Sequence, residues 1–301
     1  MSNQVAQRPK FSVAIQTDTY KNLINNTLQD PKRAQRFIAS ISSAVAINPD
    51  LQTCDAGTIL SSALLGESLE LSPSPQLGQY YMVPFKDKKN NRTVATFILG
   101  YKGYIQLAQR SGYYKHINVV ALKKGELINY DPLNEIIEVN MIQDDMKREA
   151  AETIGYYAMF EYLNGFKKIM YWSKEKMANH ANKYSPAFSL NAYTINTKNG
   201  PVKKVSFEDF ERGNYDKSTE WLYSSFWYKD FDGMAYKTML RQLISKWGIM
   251  SIDLRQAFEA DETMIDKDGT PQYVDEPDIT DLTPEPEPQP EEPEEVSMDD
   301  L

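Results

Sequence analysis

The sequence is poor in the residues that most often carry chemistry. One cysteine, Cys54, excludes any disulfide within the chain, and with no histidine or second cysteine near it, it reads as a small packed residue. The two histidines, His116 and His180, lack metal-ligand spacing. No G-x-x-x-x-G-K-[ST] phosphate loop is present, which argues against ATP-driven strand exchange of the motor type. No apolar run approaches the ~20 residues of a membrane span. The opening MSNQVAQRPK has no secretory apolar region, so a cytoplasmic protein without membrane contact is expected.

Catalytic signatures are equally sparse. Asp131, Glu135, Glu138, Asp144, Asp145 and Glu149 are grouped, as in a divalent-ion nuclease, but they alternate along polar strand faces and an acidic loop without a downstream E-x-K partner. The chain reads as a non-enzyme that needs no cofactor.

What is present is an uneven charge. Residues 259–301 hold seventeen carboxylates against one base, Lys267, so the overall −9 resolves into −16 for this segment and +7 for residues 1–258. A basic body with an acidic tail points to a polyanion as partner. The densest positive stretch, residues 80–125, has nine Lys or Arg against Asp87 alone. With 41% hydrophobic residues and 12% aromatics, most of the chain folds.

In chain order, residues 1–16 show little periodicity and read as loose. A helix is expected from Asp18 to Leu28. A second follows Asp30-Pro31, an N-cap and first-turn proline, and reaches Ile47; a third uses Ile59, Leu60, Ala63 and Leu64. Residues 1–75 thus form a helical portion suited to subunit contacts. Residues 79–85 and 92–99 predict a hairpin whose tip carries Lys86, Lys88, Lys89 and Arg92. A helix then follows Gly100, with Lys102, Gln106, Gln109 and Arg110 on one face; bare Gly103 beside that face suits a phosphate backbone, and Gly112 suits a left-handed stop. Tyr113, Tyr114 and Lys115 come next. Three strands are expected within residues 113–142. Asn164-Gly165 joins two more through a type I′ turn.

After a helix capped by Ser173, residues 184–220 read as irregular, carrying Lys203 and Lys204. A strong helix begins near Asp230 or Asp232. Tyr236, Met239, Leu240, Leu243 and Trp247 make its buried stripe, and Lys237 and Arg241 line another face. The α+β, DNA-binding core therefore spans 76–258, and the proline-rich acidic run 259–301 reads as a disordered tail. Cations interleaved with aromatics can track a phosphate backbone while offering faces for base stacking.

GQYYMVPF (78–85), GYKGYIQLAQRSGYY (100–114) and DGMAYKTMLRQLISKWG (232–248) resemble the motifs of the RecT family of phage single-strand annealing proteins. The resemblance runs from about residue 20 to 255. It implies an antiparallel sheet crossed by a long helix, and ATP-independent binding and annealing of single-stranded DNA. It also implies a homo-oligomeric filament or ring that holds the nascent duplex, and a phage exonuclease and single-strand-binding protein as partners. The phosphate-contact role falls on Lys102, Arg110, Lys237 and Arg241, and further on Tyr101, Tyr113, Tyr114, Lys203 and Lys204. The basic hairpin's Lys86 and Lys88, with Lys115, join them on composition. A protector that binds single-stranded DNA or RNA without annealing fits the same residues.

Overall fold

A computed structural model of the chain describes residues 10–87, 90–185, 187–197 and 200–261, and the backbone alone of 263–265 and 271–273. The first helices are Phe11–Ala14 (α1), Asp18–Leu28 (α2) and Pro31–Ile47 (α3). Phe11 and Ile15 are buried, so the looseness expected of residues 10–16 gives way to an apolar anchor; residues 1–9 lie outside the described residues. Asp30 caps α3, accepting from the Lys32 amide at 2.8 Å. Helix α4 (Ala56–Ser68) is capped by Asp55 and packs on the hairpin that follows. At Gly66 a Cβ would overlap the Tyr80 ring, so glycine sets how closely helix and hairpin approach.

That hairpin, β1 (Tyr80–Asp87) and β2 (Arg92–Leu99), pairs from Tyr80↔Leu99 to Asp87↔Arg92. Helix α5 (Tyr101–Arg110) follows and stops at Gly112, whose φ is +75°. Next come β3 (Tyr114–Lys123), β4 (Leu127–Asp131), β5 (Ile136–Val139), the short α6 (Asp145–Ala150), β6 (Thr153–Tyr162) and β7 (Lys167–Ser173). The β6–β7 hairpin forms as expected, but its turn is not type I′. Only Gly165 has positive φ (+85°), and its amide donates to the Tyr162 carbonyl at 3.0 Å, giving a three-residue loop with a glycine bulge.

Ser173 caps α7 (Lys174–Tyr184). The segment read as irregular contains a hairpin, β8 (Tyr193–Thr197) with β9 (Gly200–Lys204), and a short helix, α8 (Phe207–Glu211). Helices α9 (Phe226–Lys229), α10 (Phe231–Trp247) and α11 (Ile252–Ala260) complete the body.

The antiparallel sheet has the order β3-β6-β7, and α10 crosses all three strands while touching α5. Ala235, Met239, Leu240, Leu243 and Ile244 of α10 are buried, as are Tyr156, Ala158 and Phe160 of β6. A mixed α+β architecture with a sheet crossed by a long helix is therefore present. The core is continuous from Phe11 to Ala257, so the N-terminal helices share it with the sheet. Trp247 departs from the expected stripe: it is 41% exposed, with the Lys168 ammonium 4.5 Å from its ring centroid. It is the last residue of α10.

Helix α11 carries the packed body to Asp261, three residues past the expected boundary at 258, and Asp261 is wholly buried. Within the run read as disordered, Thr263–Ile265 (β10) and Pro271–Tyr273 (β11) pair antiparallel. The rest of that tail lies outside the described residues.

Candidate nucleic-acid interface

Two of the three α10 cations converge on one carboxylate. Asp261 accepts from Lys237 Nζ at 3.0 Å, Arg241 Nη1 at 2.7 Å, the Tyr104 hydroxyl at 2.9 Å and the Leu99 amide at 2.8 Å. Arg241 also donates to the Tyr104 hydroxyl at 3.2 Å, and its guanidinium lies 5.4 Å from the Phe258 ring. The cluster ties β2, α5, α10 and α11 together. Burial first, and then the charge of Asp261, push the Tyr104 hydroxyl well above its ordinary pKa. The Lys237 ammonium is itself buried, whereas Arg241 is partly exposed.

Beside this cluster lies a cleft of about 750 Å³. Trp172, His180, Tyr184 and Trp227 line it together with Lys237, Arg241, Gln242 and Lys246. His180 packs between the rings of Trp172 (5.4 Å) and Tyr184 (4.6 Å), and the Lys176 ammonium sits 4.5 Å from the Trp172 centroid. Lys176, His180 and Tyr184 follow one another at four-residue spacing along α7, a signal present in the sequence. Trp172, Tyr184, Trp227 and Lys246 were not anticipated, because only the tertiary fold brings the β7–α7 junction against α10.

The other expected contacts divide in two. Lys102 is exposed, 5.9 Å from the Tyr101 ring, which meets Tyr236 edge-on at 5.4 Å. Tyr113 is exposed, as are Lys86 on β1 and Lys203 on β9. Lys115 pairs with Glu161 at 2.6 Å on the surface. Lys88 lies outside the described residues.

Three residues have structural roles instead of an open presentation. Tyr114 is buried and donates to the Ile249 carbonyl at 3.1 Å. Arg110 donates to the Leu69 and Glu70 carbonyls and pairs with the Glu70 carboxylate at 3.1 Å, closing the C-terminal end of α4. Lys204 is 2% exposed; its ammonium donates to the Ala187 carbonyl at 3.1 Å beside the rings of Tyr228, Tyr193 and Tyr223. Burial lowers its pKa to about 8. Gly103 is likewise explained by packing, since a Cβ there would overlap the Gln79 carbonyl rather than obstruct a phosphate.

Three of the six grouped carboxylates have local tasks. Asp131 accepts from the Leu133 amide at 2.9 Å, Glu135 pairs with Lys168, and Asp144 caps α6 through the Lys147 amide at 3.1 Å. No group of three His, Cys, Asp or Glu able to hold a metal occurs among the described residues. No helix among them is long and apolar enough to cross a membrane.

Comparison with known proteins agrees with the motif resemblance. The chain is 38% identical to the uncharacterized protein YqaK of Bacillus subtilis (strain 168) over 233 residues, 77% of this chain and 66% of that protein. It is 29% identical to the protein RecT of Escherichia coli (strain K12) over 100 residues, 33% of this chain and 37% of that protein. The chain thus spans just under two thirds of the first relative and little more than a third of the second. Residues 35–281 match the RecT family, reaching into the acidic segment that the motifs left uncovered. This chain belongs to the RecT family.

Proposed function

We propose that the protein binds single-stranded DNA and anneals complementary strands without ATP, assembling into oligomers along the DNA during homologous recombination of a phage in its bacterial host. The observation that carries this reading is the cleft whose aromatic wall (Trp172, Tyr184, Trp227) faces cations of α10. Aromatic faces accept bases of any sequence, and cations follow the phosphates.

In this reading the exposed side chains Lys102, Lys203, Lys246 and Tyr113 meet the DNA directly, with Lys86 and Lys88 of the hairpin and Lys115 on β3. Arg241, partly exposed beside Asp261, borders the cleft, and Tyr101 supports Lys102. Lys237, Lys204, Arg110 and Tyr114 act by holding the surface in shape. The step is not covalent. Cations that neutralise two backbones in one groove lower their repulsion and raise the effective concentration of one strand near the other. Base pairing then supplies the specificity. A nuclease that exposes single strands, and a single-strand-binding protein that coats them, are the fitting partners in the cytoplasm.

The test mixes complementary labelled oligonucleotides with the protein in the absence of nucleotide. Accelerated duplex formation is expected, together with affinity that falls with salt at a log-log slope of about −0.7 per phosphate neutralised. Binding without acceleration identifies a protector instead, and strand scission in magnesium identifies a nuclease.

A further inference from the structure

Two surfaces far apart in sequence carry opposite charge and exposed apolar side chains. The first is the arm made of β4, β5 and α6. Its two strands pair only with each other, and α6 has no buried residue. The arm is held to the body by Arg148, which pairs with the buried Glu126 at 2.7 Å, by Lys168 on Glu135, and by Tyr130 against Tyr171 at 5.2 Å. Ile128, Leu133, Ile136 and Met146 remain exposed on it, Leu133 at 92%. Residues 127–151 have six carboxylates against Lys147 and Arg148.

The second surface is formed by α1–α3. Val13, Leu23 and Ile47 are exposed there, and α2 buries Ile24 alone. Residues 10–47 have five Lys or Arg against Asp18 and Asp30. Glu138 and Glu149 on the arm, and Lys32 and Arg36 on α3, are exposed and have no ion-pair partner among the described residues.

We propose that copies of this chain join head to tail, the acidic apolar arm of one seated on the basic apolar α1–α3 face of the next. The occupant is a second copy because each surface supplies what the other lacks. A two-fold contact centred on either surface alone would set acid against acid or base against base, which is repulsive. A heterologous contact leaves one unused surface of each kind at the ends, so it propagates into a ring or an open filament. The inference rests on the assembly proposed above and names the surfaces that would make it.

The experiment uses the full-length protein on a long single strand of mixed sequence, read by sedimentation velocity, with circular dichroism to verify folding. One variant reverses the arm (Glu138→Lys with Glu149→Lys), and a second reverses the helical face (Lys32→Glu with Arg36→Glu). Each alone should raise the concentration needed for assembly about tenfold or more. An equimolar mixture should recover the wild-type assembly, because each reversed surface then meets its complement. Assembly of either variant at the wild-type concentration overturns the interface, as does a mixture that stays dissociated. A wild-type chain that remains monomeric on the long strand overturns the assembly reading itself, and that result is distinguishable because it needs no variant.

Discussion

Asp261 Oδ2 accepts a 2.7 Å hydrogen bond from Arg241 Nη1, and Asp261 is the last buried residue among those described. Lys237 shares the same carboxylate, so each cation is held by a charge that has itself been removed from water. Removing one side of such a buried pair costs about 3–5 kcal/mol, because the remaining charge loses the opposite charge that offset its removal from water. Lys237→Ala with Arg241→Ala should therefore lower the denaturant midpoint markedly. Adding Asp261→Leu to that double variant should restore much of the loss. Equal midpoints for the double and triple variants would mean that the cluster contributes nothing through charge.

Lys204 gives a pH signature. Its folded pKa of about 8 lies below the ordinary lysine value, so from about pH 8 to 10.5 the unfolded state binds more protons than the folded one. Stability contributed through Lys204 is present above the unfolded pKa and is lost as pH falls through 8. Compared with Lys204→Met, the wild-type protein should gain as much as about 3 kcal/mol on passing from pH 8 to 10.5. Parallel urea titrations of the two proteins measure the difference. A gap that does not change with pH would place the ammonium in water.

The cleft's aromatic wall separates binding from folding. Trp172 is only half-buried, so Trp172→Ala should weaken single-strand affinity by about 1–3 kcal/mol, the usual worth of one stacked base. Trp247→Ala is the contrasting case. Its ring is partly solvated under Lys168, so the cost to stability should be about 1 kcal/mol, short of the roughly 3–5 kcal/mol of a fully buried tryptophan. Fluorescence anisotropy with a labelled oligonucleotide, beside thermal unfolding, distinguishes the two effects.

Local patterns were legible where the physics is local. Asp30-Pro31, Ser173 and Asp230 cap the helices they appeared to cap, and the basic tip between residues 85 and 92 and the Asn164-Gly165 dipeptide marked both hairpins. Depth was not legible. Helical spacing gives Lys237 an angle around α10, but its partner Asp261 lies 24 residues onward, and nothing between them announces the pairing. Lys204 reads as a surface cation because the tyrosines around it, Tyr193 on one side in sequence and Tyr223 and Tyr228 on the other, are brought to it only by the fold. Trp247 has the spacing of a core residue but sits where its helix ends.

The acidic segment gives the last prediction, and the position of Asp261 decides where the chain has to be cut. Ending it after Phe258 deletes that carboxylate and with it the 3.0 Å ion pair of the buried Lys237 ammonium, so this truncation should unfold more easily and bind DNA poorly for that reason. Ending it after Tyr273 keeps Asp261 and the β10–β11 pair while removing twelve carboxylates and no base. A tethered polyanion competes with DNA for a basic surface at an effective concentration on the order of millimolar. The cut after Tyr273 should therefore tighten single-strand binding, most at low salt where screening is weakest, and leave the annealing rate at saturating protein unchanged. If the segment serves only to dock a partner protein, the affinities of the cut and full-length chains will coincide at every salt concentration. Weaker binding after this cut would show that residues 274–301 belong to the DNA-binding surface itself.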